Sequence, residues 1–128
     1  MEHDMDEINT SHIRKAFDVF ELFRRNLGTD QEKAGAVQAF EFCYEISWKI
    51  MKRILEHRGL EVGSPKDTFR KAHEEKLIDD PEVWFEFQKK RNLTVHTYNA
   101  KNLDIIVESF DLFSSEMSSL IERIEQLQ

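Results

Sequence analysis

Apolar residues recur every three or four positions through most of the chain, a spacing that predicts α-helices and no strands. The first such set comprises Ile13, Phe17, Phe20, Phe23 or Arg24, and Leu27. We expect the first helix to open near Thr10 or Ser11 and to run to Leu27. Gly28 follows, and glycine is common just beyond helix C-termini, so the helix should end there.

Thr29 and Glu32 have the spacing of a capping box, which predicts that a second helix begins here. The apolar pattern continues to about His57 or Arg58. The polar positions form one narrow stripe that consists of Gln38, Glu41, Glu45, Lys49, Lys52 and Glu56. Almost every other residue between positions 40 and 55 is apolar or aromatic. A helix of this composition must be covered on more than one side.

Two arrangements would cover the second helix. In the first, two copies of the chain form a homodimer through helix two, with helix one contributing to the interface. In the second, the chain is a monomer in which the third and fourth helices cover helix two completely. We favour the homodimer because so little of the helix surface is polar.

Serine and aspartate followed by proline mark two further helix starts, at residues 64–67 and 80–82. The first opens a short helix, which we expect to turn Phe69 and Ala72 inward and to close near Lys76. The second opens the third long helix. Each start places an acidic residue in the first turn, where it faces the positive end of the helix dipole.

The last long helix should run from about Asn99 to Glu125. Its inward stripe comprises Leu103, Ile106, Val107, Phe110, Phe113, Met117, Leu120, Ile121 and Ile124. The predicted fold is therefore all-α, an up-and-down four-helix bundle with one extra short helix.

Composition narrows the class of protein. A chain of 128 residues is one domain large enough to bury a core, with residues 1–9 expected to fray. The single cysteine, Cys43, lies among apolar residues and should be a small buried hydrophobe. The five histidines are scattered, so we expect no metal site and no cofactor.

Hydropathy and charge allow predictions about the cellular location of the protein and about its binding partners. The acidic N-terminus does not resemble a secretory signal, and no apolar run is as long as a membrane span, so we expect a non-secreted, cytoplasmic protein. The net charge of −7 argues against a broad nucleic-acid surface, since backbone affinity depends on neutralising phosphates. Contact with RNA would have to be local, whereas a basic protein partner would suit this charge.

The residues whose side chains could bind a ligand or take part in catalysis lie between positions 89 and 99. Arg91 can bind two phosphoryl oxygens through its planar guanidinium, and His96 can exchange a proton near neutral pH. These side chains would be about 140° apart on one straight helix, so they could not converge on one substrate. We therefore expect the helix to break between Leu93 and His96, with Thr97 or Asn99 capping the next one. The alternative is an active pair that spans two subunits.

Each of these residues also has a structural interpretation. Arg91 could form an ion pair with a carboxylate of helix two, such as Glu41 or Glu45. His96 could be a histidine whose hydrogen bonds are satisfied at a helix end. Tyr98 could be a core aromatic with its hydroxyl at the surface, which is the more common situation for a tyrosine.

An arginine five to seven residues before a histidine arises by chance roughly once in a chain of this composition, whereas a spacing of five with tyrosine two residues later is rare. Residues 91–99 resemble the Arg-x4-His-x-Tyr motif of HEPN domains, small helical proteins that are paired with minimal nucleotidyltransferases in prokaryotes. Residues 38–49 are similar to the second-helix signature of the nucleotidyltransferase substrate-binding branch. Residues 64–66, residues 76–80 and Trp84 also fit that branch in order and spacing.

The resemblance implies that Arg91 and His96 correspond to a ribonuclease pair and that Tyr98 corresponds to a tyrosine modified with AMP. Our leading hypothesis is a subunit that binds a separately encoded minimal nucleotidyltransferase, half of a toxin-antitoxin-like pair. Asn92, Thr94 and Asn99 would join Tyr98 in a site for modification or for an RNA or nucleotide ligand. The alternatives are a metal-independent ribonuclease toxin silenced by AMP addition at Tyr98, and an inert helical scaffold.

Overall fold

The computed structural model describes residues 10–127, and the expected frayed segment 1–9 lies outside this range. Within the described range, α-helices and one 3₁₀ helix account for all the regular secondary structure. The α-helices are α1 (Ser11–Phe23), α2 (Asp30–His57), α3 (Pro65–Glu74), α4 (Pro81–Leu93), α5 (Ala100–Val107) and α6 (Phe110–Gln126). The 3₁₀ helix is Thr94–His96, between α4 and α5. The all-α class is confirmed.

The predicted starts of α2, α3 and α4 are confirmed by their capping hydrogen bonds. Oγ1 of Thr29 accepts from the amide of Glu32 at 3.1 Å, and Oε1 of Glu32 accepts from the amide of Thr29 at 3.0 Å. Ser64 caps α3 by accepting from the amide of Asp67 at 3.2 Å. Asp80 caps α4 in the same manner. Each cap satisfies a backbone N–H that has no partner within its own helix.

The predicted end of the first helix is wrong by four residues. α1 ends at Phe23, and a turn made of i to i+3 bonds follows, including one from the amide of Asn26 to the Phe23 carbonyl at 3.3 Å. The reason lies at the start of α2. The Glu32 carboxylate also accepts from the amide of Gly28 at 3.1 Å, so residues 28 and 29 already belong to the N-terminal cap of α2. The chain must reverse before them.

The predicted last helix is divided into α5 and α6. Residues Glu108 and Ser109 form a turn, in which Oγ of Ser109 donates to the Ile106 carbonyl at 2.7 Å. A serine side chain that bonds locally to the backbone competes with the helical hydrogen-bond pattern. The apolar stripe continues across the turn, so both helices face the same core.

Aromatic side chains form the centre of the core. Phe113 makes edge-to-face contacts with Phe20, Phe40 and Phe87, with ring centroids 5.2, 4.7 and 5.0 Å away. These residues come from α6, α1, α2 and α4, so one ring joins four helices. α2 is the central element and packs against α1, α3, α4 and α5. None of the helices in residues 10–127 has the length and apolar character needed to cross a membrane.

One face of α2 is not covered by the other residues that the structure describes. Phe42 is 58% exposed and lies in a groove between α1 and α2. We define the α1/α2 apolar face as this residue together with Val19, Leu22, Phe23 and Ile46. Val19, Leu22 and Phe23 are exposed and Ile46 is half-buried, so the described chain by itself leaves a contiguous apolar surface in contact with solvent.

Candidate functional site

Arg91 lies in the last turn of α4 and its side chain points towards α2. Nε donates to Oε2 of Glu45 at 3.1 Å, and the terminal nitrogen Nη2 lies 3.1 Å from Oε2 of Glu41. The structural ion pair that we considered for Arg91 is therefore present, with both of the carboxylates we named. Glu41 and Glu45 are one turn apart on α2, which allows a single guanidinium to contact both.

The Glu45 carboxylate is held from its other side as well. Oε1 of Glu45 accepts from the indole Nε1 of Trp48 at 3.2 Å, while Oε2 accepts from Arg91. The two carboxylates outnumber the one guanidinium, so this group of three charges sums to −1. A phosphate that approached Arg91 would have to compete with carboxylates already in place.

The predicted break after α4 is confirmed, and Thr94 explains it. Oγ1 of Thr94 donates to the Arg91 carbonyl at 2.7 Å and accepts from Nη1 of Arg91 at 3.0 Å. The threonine side chain thus takes a carbonyl that would otherwise continue the helix. Of the two predicted caps for the next helix, Asn99 is the one used, accepting from the amide of Lys101 at 3.0 Å.

His96 and Tyr98 project from the connection between α4 and α5. Tyr98 is 85% exposed, so the interpretation of it as a core aromatic is wrong. The His96 ring is also exposed and meets the Tyr98 ring edge to face, with centroids 5.9 Å apart at 89°. An imidazole is thereby placed beside an accessible phenol.

The structure brings together only some of the predicted site residues. Within residues 10–127, the Arg91 side chain contacts Glu41, Glu45 and Thr94, whereas the His96 side chain contacts Tyr98. Asn92 is exposed on α4. The candidate site therefore has two parts, an arginine bound to α2 and an exposed histidine–tyrosine pair.

The sequence reasoning missed Asn102 and the role of Trp48. Nδ2 of Asn102 donates to the carbonyl of His96 at 3.0 Å, so α5 contacts the turn that carries the histidine. Asn102 lies one helical turn after the cap Asn99. This spacing of two carboxamide side chains at a helix start is the sequence signal that could have identified it. Trp48 lies three residues after Glu45 on the same helix, and this spacing could have predicted the contact between their side chains.

Two further properties bear on the chemistry, namely the pKa of the Tyr44 phenol and the arrangement of metal-ligating side chains. Burial raises the pKa of the Tyr44 phenol well above its usual range, and the charge of Glu45 adds to the shift. Among residues 10–127, no group of three His, Cys, Asp or Glu side chains is arranged to hold a metal ion.

Comparisons with known proteins give consistent results. The model of the family described as nucleotidyltransferase substrate binding protein like matches residues 8–126. A Haemophilus influenzae protein named probable ribonuclease HepT is 38% identical over 98 residues, which cover 73% of this chain and 67% of that protein.

Two solved structures share the fold. A crystal structure of a Thermus thermophilus protein superposes with a TM-score of 0.81 and 29% identity, covering 88% of this chain and 98% of that chain. A Haemophilus influenzae structure also has a TM-score of 0.81, with 30% identity over 91% of this chain and 99% of that chain. It is described as revealing the fold of a substrate binding domain of a nucleotidyltransferase.

Proposed function

Because this chain belongs to the nucleotidyltransferase substrate binding protein-like family, we propose that it is the binding subunit of a separately encoded minimal nucleotidyltransferase. In this proposal the two proteins form a toxin-antitoxin-like pair, and Tyr98 is the residue that the enzyme modifies. The observation that carries the proposal is the 85% exposure of Tyr98 with the His96 ring against it. An aromatic side chain so accessible on a turn can enter the active site of another protein.

The proposed reaction is the transfer of AMP from ATP. The phenol oxygen of Tyr98 attacks the α-phosphorus of ATP, the bond from that phosphorus to the bridging oxygen breaks, and pyrophosphate leaves. The phenol proton must be removed as the new bond forms, and the adjacent His96 imidazole can accept it. The nucleotidyltransferase supplies the nucleotide site, and this chain supplies the acceptor.

Charge supports a protein partner rather than an extended nucleic-acid surface. The chain carries a net charge of −7, and the Glu41, Glu45 and Arg91 group beside the turn sums to −1. A partner with basic side chains around its nucleotide site would complement this surface and increase the rate of association.

The test uses purified chain, the cognate transferase and ATP, with intact-mass and peptide mass spectrometry as the readout. We expect one AMP residue per chain on the peptide that contains Tyr98, and none in Tyr98→Phe. The chain has two tyrosines, so Tyr44→Phe is the matched control and should be modified as the wild type is. Modification that persists in Tyr98→Phe, or absence of both complex and modification, would refute the proposal.

A second candidate function is a metal-independent ribonuclease toxin, favoured by the 38% identity to the protein named probable ribonuclease HepT. In this reaction a ribose 2′-hydroxyl attacks the adjacent phosphorus and the 5′-oxygen leaves. His96 would take the proton from the 2′-hydroxyl or give one to the 5′-oxygen, and Arg91 would bind the non-bridging oxygens. AMP on Tyr98 would silence the activity by adding negative charge beside His96.

For the ribonuclease, regulated expression in a bacterial host separates the outcomes. Wild type should arrest growth and fragment RNA, and Arg91→Ala/His96→Ala should do neither. If the wild type has no effect, the binding-subunit proposal stands without a nuclease. If the double variant is as toxic as the wild type, Arg91 and His96 are not the nuclease residues.

We also propose that a second copy of the chain covers the α1/α2 apolar face. Lys15 lies at one end of this face and Glu32 at the other. Two copies related by a two-fold axis, with their faces running in opposite directions, would place Lys15 of each near Glu32 of the other. The face is therefore self-complementary in charge as well as apolar at its centre.

A further inference from the structure

The connection that carries His96 and Tyr98 has little apolar packing to hold its conformation. Val95 is 68% exposed, Tyr98 is 85% exposed, and none of the residues from Thr94 to Asn99 is buried. We call residues 94–99 the presenting turn. A segment with so few buried contacts depends on polar contacts for its order.

The first polar contact is at the start of the presenting turn. Thr94 donates to the Arg91 carbonyl and accepts from Nη1 of Arg91, and Arg91 in turn donates to Glu45 of α2. Glu45 is itself bonded to the indole of Trp48. The start of the turn is thus connected through Arg91 to the central helix of the protein.

The second polar contact is on the other side of the turn. The His96 carbonyl accepts from Nδ2 of Asn102 at 3.0 Å and from the amide of Asn99 at 3.2 Å. Asn102 belongs to the first turn of α5, which packs against α2. Asn102 holds the backbone carbonyl of His96 itself, and Tyr98 follows only two residues later.

We infer that Thr94 and Asn102 are positioning residues that hold the presenting turn in one conformation for the enzyme that modifies Tyr98. The inference rests on the proposed modification of Tyr98. In the free chain the two contacts order the turn in advance, so the enzyme does not have to order it on binding. Neither residue touches the reacting phosphorus in this scheme, and both act through the backbone that carries Tyr98.

The test is the kinetics of AMP transfer with this chain as the varied substrate. Thr94→Val keeps the shape of the side chain and removes the hydroxyl, and Asn102→Ala removes the amide donor. We expect each to raise KM for the chain roughly threefold to tenfold, the worth of about one hydrogen bond, while kcat changes little. Thr94→Ser retains the hydroxyl, so its KM should equal that of the wild type. Gln126→Ala, which removes an exposed amide in the last turn of α6, is the control and should leave KM unchanged.

Two features separate positioning from simple loss of folded protein. Because the chain is the substrate, unfolded molecules would also raise the apparent KM, but a threefold rise from unfolding alone would require roughly two thirds of the chain to be unfolded, which circular dichroism of each variant would show. Because both residues hold the same turn, the double variant should have a KM no more than roughly twice that of the more affected single variant. Effects on KM that multiply fully would contradict a shared turn, and unchanged KM in both single variants would overturn the inference.

Hydrogen exchange tests the same inference without the partner. The amide of Asn99, which donates to the His96 carbonyl, should exchange faster in Thr94→Val and in Asn102→Ala than in wild type, while the amides of α2 stay protected. Equal exchange in all three proteins would overturn it. If wild type receives no AMP but the exchange rates respond as expected, the proposed function fails and the role of the two residues in the turn stands.

Discussion

Nε of Arg91 lies 3.1 Å from Oε2 of Glu45, a residue 46 positions earlier in the chain. The contact joins the end of α4 to the middle of α2, and the indole of Trp48 fixes the second oxygen of the same carboxylate. Arg91 is the first residue of the Arg-x4-His-x-Tyr motif, and its side chain is directed at the protein. The motif is therefore connected to the core at one end and open to solvent at the other.

Removing the charge of Glu45 should lower stability. Glu45→Gln replaces an ion-pair partner that is about two-thirds buried with a neutral amide, and we expect the free energy of unfolding to fall by about 1 kcal/mol. Urea denaturation provides the measurement. Glu86→Gln is the control, because Glu86 forms an exposed pair with Lys89 and its loss should leave the midpoint unchanged. Equal effects of the two substitutions would contradict a special role for Glu45.

The aromatic core should depend on Phe113 far more than on its neighbour Leu112. Phe113→Ala removes a fully buried ring that meets aromatic rings on four other residues, so we expect a loss of about 3–5 kcal/mol. Leu112 is 49% exposed, and Leu112→Ala should cost less than about 0.5 kcal/mol. Thermal and urea unfolding of the two variants would test the difference. Similar losses would mean that the core is not centred on Phe113.

A charge in the α1/α2 apolar face should prevent self-association. We expect the wild type to sediment as a dimer and Phe42→Glu as a monomer, because a carboxylate buried in an apolar interface has no partner. Leu112→Glu is the matched control, since Leu112 is comparably exposed but lies on α6, outside the face. Sedimentation velocity at several concentrations provides the measurement. A monomeric wild type, or a dimeric Phe42→Glu, would show that the face serves another purpose.

Cys43 should make stability fall with pH in the alkaline range. Burial raises the pKa of the Cys43 thiol from 9.0 to about 12. Above pH 9.0 the unfolded chain loses this proton while the folded chain keeps it, so the folded state binds more protons. The contribution of the Cys43 thiol to the free energy of unfolding is fully present below pH 9.0. Above that pH it falls by about 1.4 kcal/mol per pH unit until the folded pKa is reached.

The variant Cys43→Ala isolates that contribution. The difference in unfolding free energy between wild type and Cys43→Ala should be constant below the unfolded pKa and should shift in favour of the variant above it. The Tyr44 phenol, whose pKa is also raised by burial, adds a similar loss at still higher pH in both proteins. A difference that does not change with pH would show that the Cys43 thiolate is tolerated in the folded state.

Local signals in the sequence predicted the helix starts and the break inside the motif. The caps at Thr29, Ser64, Asp80 and Asn99 accept hydrogen bonds from residues two or three positions away, so the information lies within one turn of chain. The division at Ser109 was missed although it is also local. The apolar stripe keeps its spacing across the turn, and periodicity by itself therefore indicates one continuous helix.

The sequence by itself determined the all-helical class, the buried face of each helix and the resemblance of residues 91–99 to a known motif, because these depend on spacing along the chain. Only the tertiary structure decided which atoms Arg91 binds, that Asn102 holds His96, and that Tyr98 is exposed. The physical reason is that hydrogen bonds and ion pairs act over about 3 Å. Whether residues as distant in sequence as Glu45 and Arg91 come within that distance depends on how the helices pack, which the core residues decide together.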